Sequence, residues 1–233
     1  MDTAHIAELL TPFLRIGSKE GCHSDKPRSG KEESAVLSPS QLHNISIYID
    51  LLQRWNAHIN LTAIRNEEEI VTRHFGESLF AARQLFPQCS SVTPVVKGVD
   101  VADIGSGAGF PGIPIKLWAP DISLTLIESN HKKATFLREV VRALTLTDIN
   151  IQNARAETLS RKAFDLVTLR AVECFDSILP IASTLVAPGG RLALLIGSAQ
   201  FRPAQAALPL FSWLEPASVP TSRSRVIAIA TRR

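Results

Sequence analysis

The sequence has little cysteine, and its cysteines are badly spaced for cross-linking. Three in 233 residues, Cys22, Cys89 and Cys174, are odd in number and far apart. That excludes a disulfide framework and offers no zinc-ligand spacing, so reduced thiols, a cytoplasmic location and no bound metal are expected. No apolar run approaches the roughly 20 residues of a membrane span. The start, Met1-Asp2-Thr3-Ala4-His5, lacks the basic and apolar stretches of a secretory leader. The 14 prolines include no Pro-Pro pair, and no internal repeat is visible. Acidic charge is scarce in the C-terminal quarter. Residues 177–233 carry six basic side chains and one acidic one, Glu215, in a chain of net charge +3. A second basic group runs through Lys132, Lys133, Arg138, Arg142, Arg155, Arg161 and Lys162. Such patches suit either a polyanion or a solvated face.

What remains is a soluble composition, 45% hydrophobic and 20% charged, long enough for one sizeable core and a small subdomain. Residues 3–14 place Ile6, Leu9, Leu10, Phe13 and Leu14 at helical spacing. Residues 17–34 are polar and read as a mobile loop or insertion. Ser38-Pro39-Ser40-Gln41 opens a second helix with a capping box, and Leu42, Ile45, Ile49 and Leu52 line its face. A third helix starts at Asn66, continues through His74, Phe75 and Leu85, and ends at Pro87. Residues 1–90 are therefore expected to form an N-terminal helical subdomain.

From residue 99 the pattern alternates strand and helix, giving a second unit at 91–233. Strands are expected at Val99–Asp103, Ser123–Glu128, Ile149–Gln152, Phe164–Arg170, Arg191–Ile196 and Arg225–Thr231. Helices are expected at Pro111–Trp118, Lys132–Ala143 and Phe175–Leu185. A turn is expected at Glu157–Ser160 and a weak helix near Pro203–Leu208. The fold class is α/β, with a Rossmann-like, mostly parallel seven-stranded sheet covered by helices on both faces.

The chain is organised around the junction of its first strand and the helix after it. Asp103-Ile104-Gly105-Ser106-Gly107-Ala108-Gly109-Phe110-Pro111-Gly112 carries four glycines within eight residues. Glycine lets the backbone turn sharply and lie against a ligand, and the following helix offers free N–H groups. Residues 107–112 satisfy the dinucleotide fingerprint G-x-G-x-x-G, and Glu128 lies 21 residues beyond Gly107. The fuller pattern, Asp103-x-Gly105-x-Gly107-x-Gly109, resembles the first motif of S-adenosylmethionine-dependent methyltransferases. The Pro188-Gly189-Gly190 turn before the fifth strand resembles the same class.

In a parallel sheet, ligands bind beyond the carboxyl ends of the strands. Those ends carry Asp103 with the glycine loop, Glu128 for ribose hydroxyls, Ala156-Glu157 for adenine, and Arg170. The Asp/Asn-Pro-Pro-aromatic motif of amino-nitrogen methyltransferases is absent after strand four, where the chain reads Leu169-Arg170-Ala171-Val172-Glu173. Pyrimidine C5 methylation needs a cysteine nucleophile, and Cys174 lacks the Pro-Cys context of those enzymes. Guanine N7 needs neither device. Its lone pair is unprotonated and lies in the ring plane, so no general base is required. No catalytic residue is assigned.

Asn60-Leu61-Thr62-Ala63-Ile64, Glu69-Ile70-Val71-x-Arg73-His74-Phe75-x-x-Ser78-Leu79 and the glycine segment through Pro114 form a combination. Together with Lys132-Lys133-x-x-Phe136-Leu137, Ala156-Glu157 and Arg170-Ala171-Val172, it resembles the RsmG (GidB) family of 16S ribosomal RNA methyltransferases over roughly residues 40–200. The resemblance implies methylation of guanine N7 in the decoding-site loop of the small subunit, with S-adenosylmethionine as donor. It implies that Gly105, Phe110, Ala156, Glu157 and Arg170 contact the cofactor. With the glycine loop and strand ends read above, the expected cofactor site is Asp103, Gly105, Ser106, Gly107, Gly109, Phe110, Glu128, Ala156, Glu157 and Arg170. RNA contacts are expected at Arg73, His74, Lys132, Lys133, Arg223 and Arg225, in a monomer with no membrane partner. The chain departs from the family in Glu77, where Asp is usual, in Leu169 before Arg170, and in Ile196, where a lysine is usual. The rival readings are a nicotinamide-dependent oxidoreductase, a non-catalytic RNA-binding protein with the same fold, and a small-molecule methyltransferase.

Overall fold

The computed structural model describes residues 1–15, 37–87, 98–159, 163–170 and 175–233. The polar stretch 17–34, the three cysteines, Arg161, Lys162 and residues 171–173 lie outside the described residues. Helix α1 (Thr3–Leu14) buries Ile6, Leu10, Phe13 and Leu14, as its spacing predicts. Helix α2 (Pro39–Asn56) starts at the expected capping box. The Ser38 hydroxyl accepts from Gln41 N at 3.2 Å, and Gln41 Oε1 accepts from Ser38 N at 2.8 Å. The same Gln41 donates through Nε2 to Leu117 O at 2.7 Å, tying the start of α2 to the helix after the glycine loop.

The third expected helix is not uniform. A short α-helical turn α3 (Glu67–Glu69), capped by Asn66, passes into a π-helical stretch at Ile70–Gly76 before α4 (Glu77–Leu85) resumes normal pitch. Wide turns of this kind re-aim side chains and recur at functional sites. Gly76 closes the stretch against α1. A Cβ there would lie 2.6 Å from the Phe13 ring.

The strands are β1 (Asp100–Ile104), β2 (Ser123–Ile127), β3 (Ile149–Gln152), β4 (Phe164–Arg170), β5 (Val186–Gly197), β6 (Phe211–Trp213), β7 (Ala217–Ser218) and β8 (Arg225–Arg232). They form one sheet in the order β3-β2-β1-β4-β5-β8-β6, with β7 paired to β8 off that path. The first five are parallel, and β8 runs antiparallel to its neighbours. The sheet thus has the expected seven-strand path and one extra two-residue strand. The further helices among the described residues are α5 (Gly112–Trp118), α6 (His131–Ala143), α7 (Phe175–Thr184) and α8 (Ser198–Ala207). The weak C-terminal helix therefore begins five residues earlier than its sequence suggests. Gln200 Oε1 accepts from Gly197 N at 3.0 Å and fixes that start.

Strand alternation sorts the core into two layers. Val101, Leu124, Leu126 and Leu166 share one apolar cluster with α1, α2, α4, α5 and α6. Ala102, Ile104, Ile127, Val167 and Leu169 pack on the other face with α7 and α8. The N-terminal helices therefore share a continuous core with the sheet. The chain leaves β1 for β2 and β3 on one side, then returns to β4 and β5 on the other. The crevice where a doubly wound sheet binds ligands consequently lies beyond β1 and β4.

Candidate active site

A cavity of about 750 Å³ opens at that crevice, within the size range of small-molecule sites. Its lining includes Gly105, Ser106, Gly107, Phe110, Glu128, Ala156, Glu157 and Arg170 from the expected cofactor set. It also includes Arg73, His74, Lys133 and Arg225 from the expected RNA set. Asp103 and Gly109, also in the expected set, are not among the residues lining the cavity.

Asp103 is fully buried beneath the loop. Its Oδ2 accepts from Gly112 N at 3.2 Å, and its Oδ1 accepts from the Thr168 hydroxyl at 2.8 Å. It holds the start of α5 to the end of β4. Burial raises its pKa from 3.8 to about 6, against the hydrogen bonds from Thr168, Gly112 and Ser106 and the charge of Arg170. Gly109 has φ +87°, and a Cβ there would run into the Tyr48 hydroxyl and lie 2.8 Å from Ile113 Cδ1. Glycine is required at this position by α2 packing from behind. Ser106 is nearly as buried, and its hydroxyl donates to Asp103 O at 2.8 Å.

Glu128, 7% exposed at the end of β2, is set into the floor. Its Oε2 accepts from Gly107 N at 2.9 Å and its Oε1 from Asn130 N at 2.7 Å. A carboxylate has about four acceptor positions, so about two remain, enough for a pair of vicinal hydroxyls. Ala156 and Glu157 lie beside it on a 3-10 turn, Ala156–Thr158. The glycine loop, a buried carboxylate with spare acceptors and an adjacent turn fit a ribose-bearing ligand such as S-adenosylmethionine.

Phe110 is held on several sides. Its ring stacks on Tyr48 at 5.4 Å and 5°, and on His74 at 4.7 Å and 17°. The edge of Phe75 meets it at 5.1 Å, and the Arg170 guanidinium stands 6.0 Å from its centroid. Tyr48 also donates its hydroxyl to Ala108 O at 2.5 Å. Helix α2 therefore fixes both the loop backbone and its aromatic residue.

Arg170 ends β4 on the face of the sheet that carries Asp103, and it is 9% exposed. Its guanidinium donates to Glu77 Oε2 at 3.0 Å, to Arg73 O at 2.6 Å and to His74 Nδ1 at 3.1 Å. The same Glu77 oxygen pairs with Arg225 at 3.0 Å. Glu77 is thus the shared counter-ion of two arginines. The pKa of Arg170 falls to about 10, mainly through burial, with Glu77 opposing the shift.

The state of His74 follows from these partners. Arginine can only donate, so Nδ1 accepts and the ring proton sits on Nε2, which donates to the Thr62 hydroxyl oxygen at 2.8 Å. Burial, followed by the charges of Arg170, Arg73 and Arg225, lowers its pKa to about 3. A neutral imidazole engaged at both nitrogens links Arg170 to Thr62 in the cavity wall. Arg73 is exposed and paired with Glu69 at 2.7 Å. Lys132 and Arg223 are exposed outside the cavity, and Lys133 stands at its lip.

Three contributors were not singled out from sequence: Tyr48, Thr62 as an individual residue, and Asn56. Asn56 is 5% exposed and grips the 61–62 backbone three times. Its Oδ1 accepts from Leu61 N at 2.9 Å and Thr62 N at 3.1 Å, and its Nδ2 donates to Thr62 O at 3.0 Å. The one available signal was a lone polar residue at the end of an apolar helical face. Among the described residues, no cluster of three or more His, Cys, Asp or Glu is placed to hold a metal ion. Among the same residues, no helix is long and apolar enough to cross a membrane.

Known proteins are similar to this chain in sequence and in fold. The model of the family described as GidB, rRNA small subunit methyltransferase G, matches residues 41–222. A ribosomal RNA small subunit methyltransferase G from Stenotrophomonas maltophilia (strain K279a) is 40% identical over 164 residues, covering 70% of each chain. One of the same description from Desulfitobacterium hafniense (strain Y51) is 39% identical over 167 residues, 70% of this chain and 65% of that one. Among solved structures, magnesium protoporphyrin IX methyltransferase from Synechocystis PCC 6803 with bound S-adenosylmethionine superposes with a TM-score of 0.59. That likeness spans 86% of this chain and all of that one at 14% identity, and it bears on the fold alone. With its methyltransferase sheet, glycine loop and family motifs together, the chain belongs to the rRNA small subunit methyltransferase G (GidB) family.

Proposed function

We propose that this protein methylates N7 of a guanosine in the decoding-site loop of 16S ribosomal RNA, using S-adenosylmethionine, as a cytoplasmic monomer. The observation that carries the reading is the buried Glu128 carboxylate, clamped by Gly107 N–H and facing a cavity floored by the glycine loop of a family member. Gly105, Ser106, Gly107, Glu128, Ala156 and Glu157 hold the nucleoside part of the cofactor, and Phe110 and Arg170 face its methionine end. Asp103 and Gly109 shape the loop from behind. The cofactor supplies a methyl group activated on a positive sulfur. N7 of guanine forms its new bond with a lone pair that carries no hydrogen, so no side chain has to remove a proton. The protein contributes position and a pocket of fixed dipoles. Glu77 is already shared by two arginines, which suits chemistry without a general base. Arg73, Lys132, Lys133, Arg223 and Arg225 reach for RNA phosphates, in a unit where residues 1–90 serve as the helical cap on the 91–233 catalytic part.

The test is transfer of labelled methyl from S-adenosylmethionine to small subunits from a strain lacking the modification. Chemical cleavage at N7-methylguanosine then maps the product. One modified guanosine in the decoding-site loop is expected. Label on a different atom, or equal activity on a free small molecule, refutes the reading.

A further inference from the structure

Hydroxyl groups usually discriminate poorly between donors and acceptors, because they can be either. Thr62 is an exception. Its oxygen accepts from His74 Nε2–H at 2.8 Å and from Ile64 N–H at 3.1 Å. Those two bonds occupy both lone pairs. The direction of the first is enforced, because Arg170 fills His74 Nδ1 as a donor and Glu77 fixes Arg170. The Thr62 proton is then the only hydrogen-bonding capacity left on that side chain, and among the described residues it has no acceptor. Thr62 lines the cavity. Its backbone is pinned on both sides by Asn56, so the group is preorganised.

Thr62 also stands on the appropriate wall. The floor of the cavity comes from the glycine loop, Glu128 and residues 156–157. Thr62 belongs to the wall built by the N-terminal segment with Ile64, Arg73 and His74. The acidic residues lining the cavity, Glu128 and Glu157, lie on the floor side.

We propose that the Thr62 hydroxyl donates to O6 of the acceptor guanine and makes Thr62 the residue that selects guanine over adenine. The inference rests on the reaction proposed above. O6 neighbours N7 on the same edge of the purine, where adenine instead carries a donating amino group. A hydroxyl able only to donate pairs with O6 and meets the adenine amino group donor to donor. Glu77, Arg170 and His74 act through Thr62 as positioning residues that keep its lone pairs filled.

The test measures kcat/KM for methyl transfer by the full chain to small subunits whose target nucleotide is guanosine, inosine or 2-aminopurine riboside. Inosine keeps O6, and 2-aminopurine lacks it. Wild-type protein should treat inosine like guanosine. In Thr62→Val the guanosine to 2-aminopurine ratio should fall about tenfold, the size of one good hydrogen bond. Thr62→Ser should restore the wild-type ratio. S-adenosylmethionine affinity, measured by calorimetry, should be unchanged in both variants. Thr62→Ala is the substitute if the valine variant does not fold. A merely structural role lowers all three RNAs by one factor and leaves the ratio in place, and that result overturns the proposal. If wild-type protein leaves guanosine N7 unmethylated, the reaction itself is misassigned. If it methylates N7 and the ratio does not move in Thr62→Val, only the role of Thr62 fails.

Discussion

Replacing Asp103 with asparagine should change how stability depends on pH, and the size of the change follows from where Asp103 sits. The carboxyl is fully buried, and its pKa rises from 3.8 to about 6. The folded state therefore holds the proton more tightly than the unfolded chain does. Its contribution is fully present below pH 3.8 and is lost as pH rises through about 6. The shift of about two units, at roughly 1.4 kcal/mol each, costs the wild-type protein about 3 kcal/mol between those limits. Asparagine does not titrate. It can still accept from Gly112 N and can donate to Thr168, whose hydroxyl has Ala102 O as an alternative acceptor at 3.4 Å. Urea unfolding of both proteins from pH 4 to pH 8 isolates the effect, because pH-independent differences cancel when the gap is followed with pH. The variant should gain on the wild type by roughly 2.5 kcal/mol across this range, because the unfolded carboxyl is already more than half ionised at pH 4. A gap that stays flat means that Asp103 does not titrate in the window and that its burial is compensated by something the geometry omits.

Three further outcomes are expected. Glu77→Gln leaves two arginines without their shared counter-ion and should lower unfolding stability at neutral pH by about 3–5 kcal/mol, read by urea titration. Tyr48→Phe removes the bond to Ala108 O while keeping the ring stack. It should raise the Kd for S-adenosylmethionine several-fold with kcat nearly unchanged, and a fall in kcat alone would contradict a loop-positioning role. Lys133→Ala should weaken RNA binding and reduce the slope of log K against log salt by about one if the lysine meets a phosphate.

Much of the architecture is written locally. Ile149–Gln152 and Phe164–Arg170 carry the expected bounds: turn-forming Asp148 and Asn153 flank the first, and the stretch Leu166-Val167-Thr168-Leu169 marks the second. Glu128 was legible because the spacing from a glycine loop to the end of the next strand is fixed by one intervening helix. The misses have physical causes. Strand β5 starts at Val186 and carries the Pro188-Gly189-Gly190 turn within it, through an irregular register between Phe164 and Leu166 on β4. Strands β6 and β7 are three and two residues long, too short for alternation to register. Tyr48 and Thr62 earn their roles from partners remote in sequence. Tyr48 meets Ala108, and His74 meets Arg170 across 96 residues, so only the fold shows that the N-terminal helices complete the site. Asp103 shows the limit from the other side: the motif named the residue, but only its burial reveals that it supports the loop without facing the cavity.

The central claim is that the cavity over the glycine loop takes S-adenosylmethionine, with Glu128 on its ribose. Calorimetric titration of wild-type protein and Glu128→Ala with S-adenosylmethionine, and separately with a nicotinamide dinucleotide, tests it most directly. Binding of S-adenosylmethionine that weakens at least about tenfold in the variant, with no dinucleotide binding, is the predicted result. Tight dinucleotide binding without S-adenosylmethionine binding, or an affinity indifferent to Glu128, would contradict it.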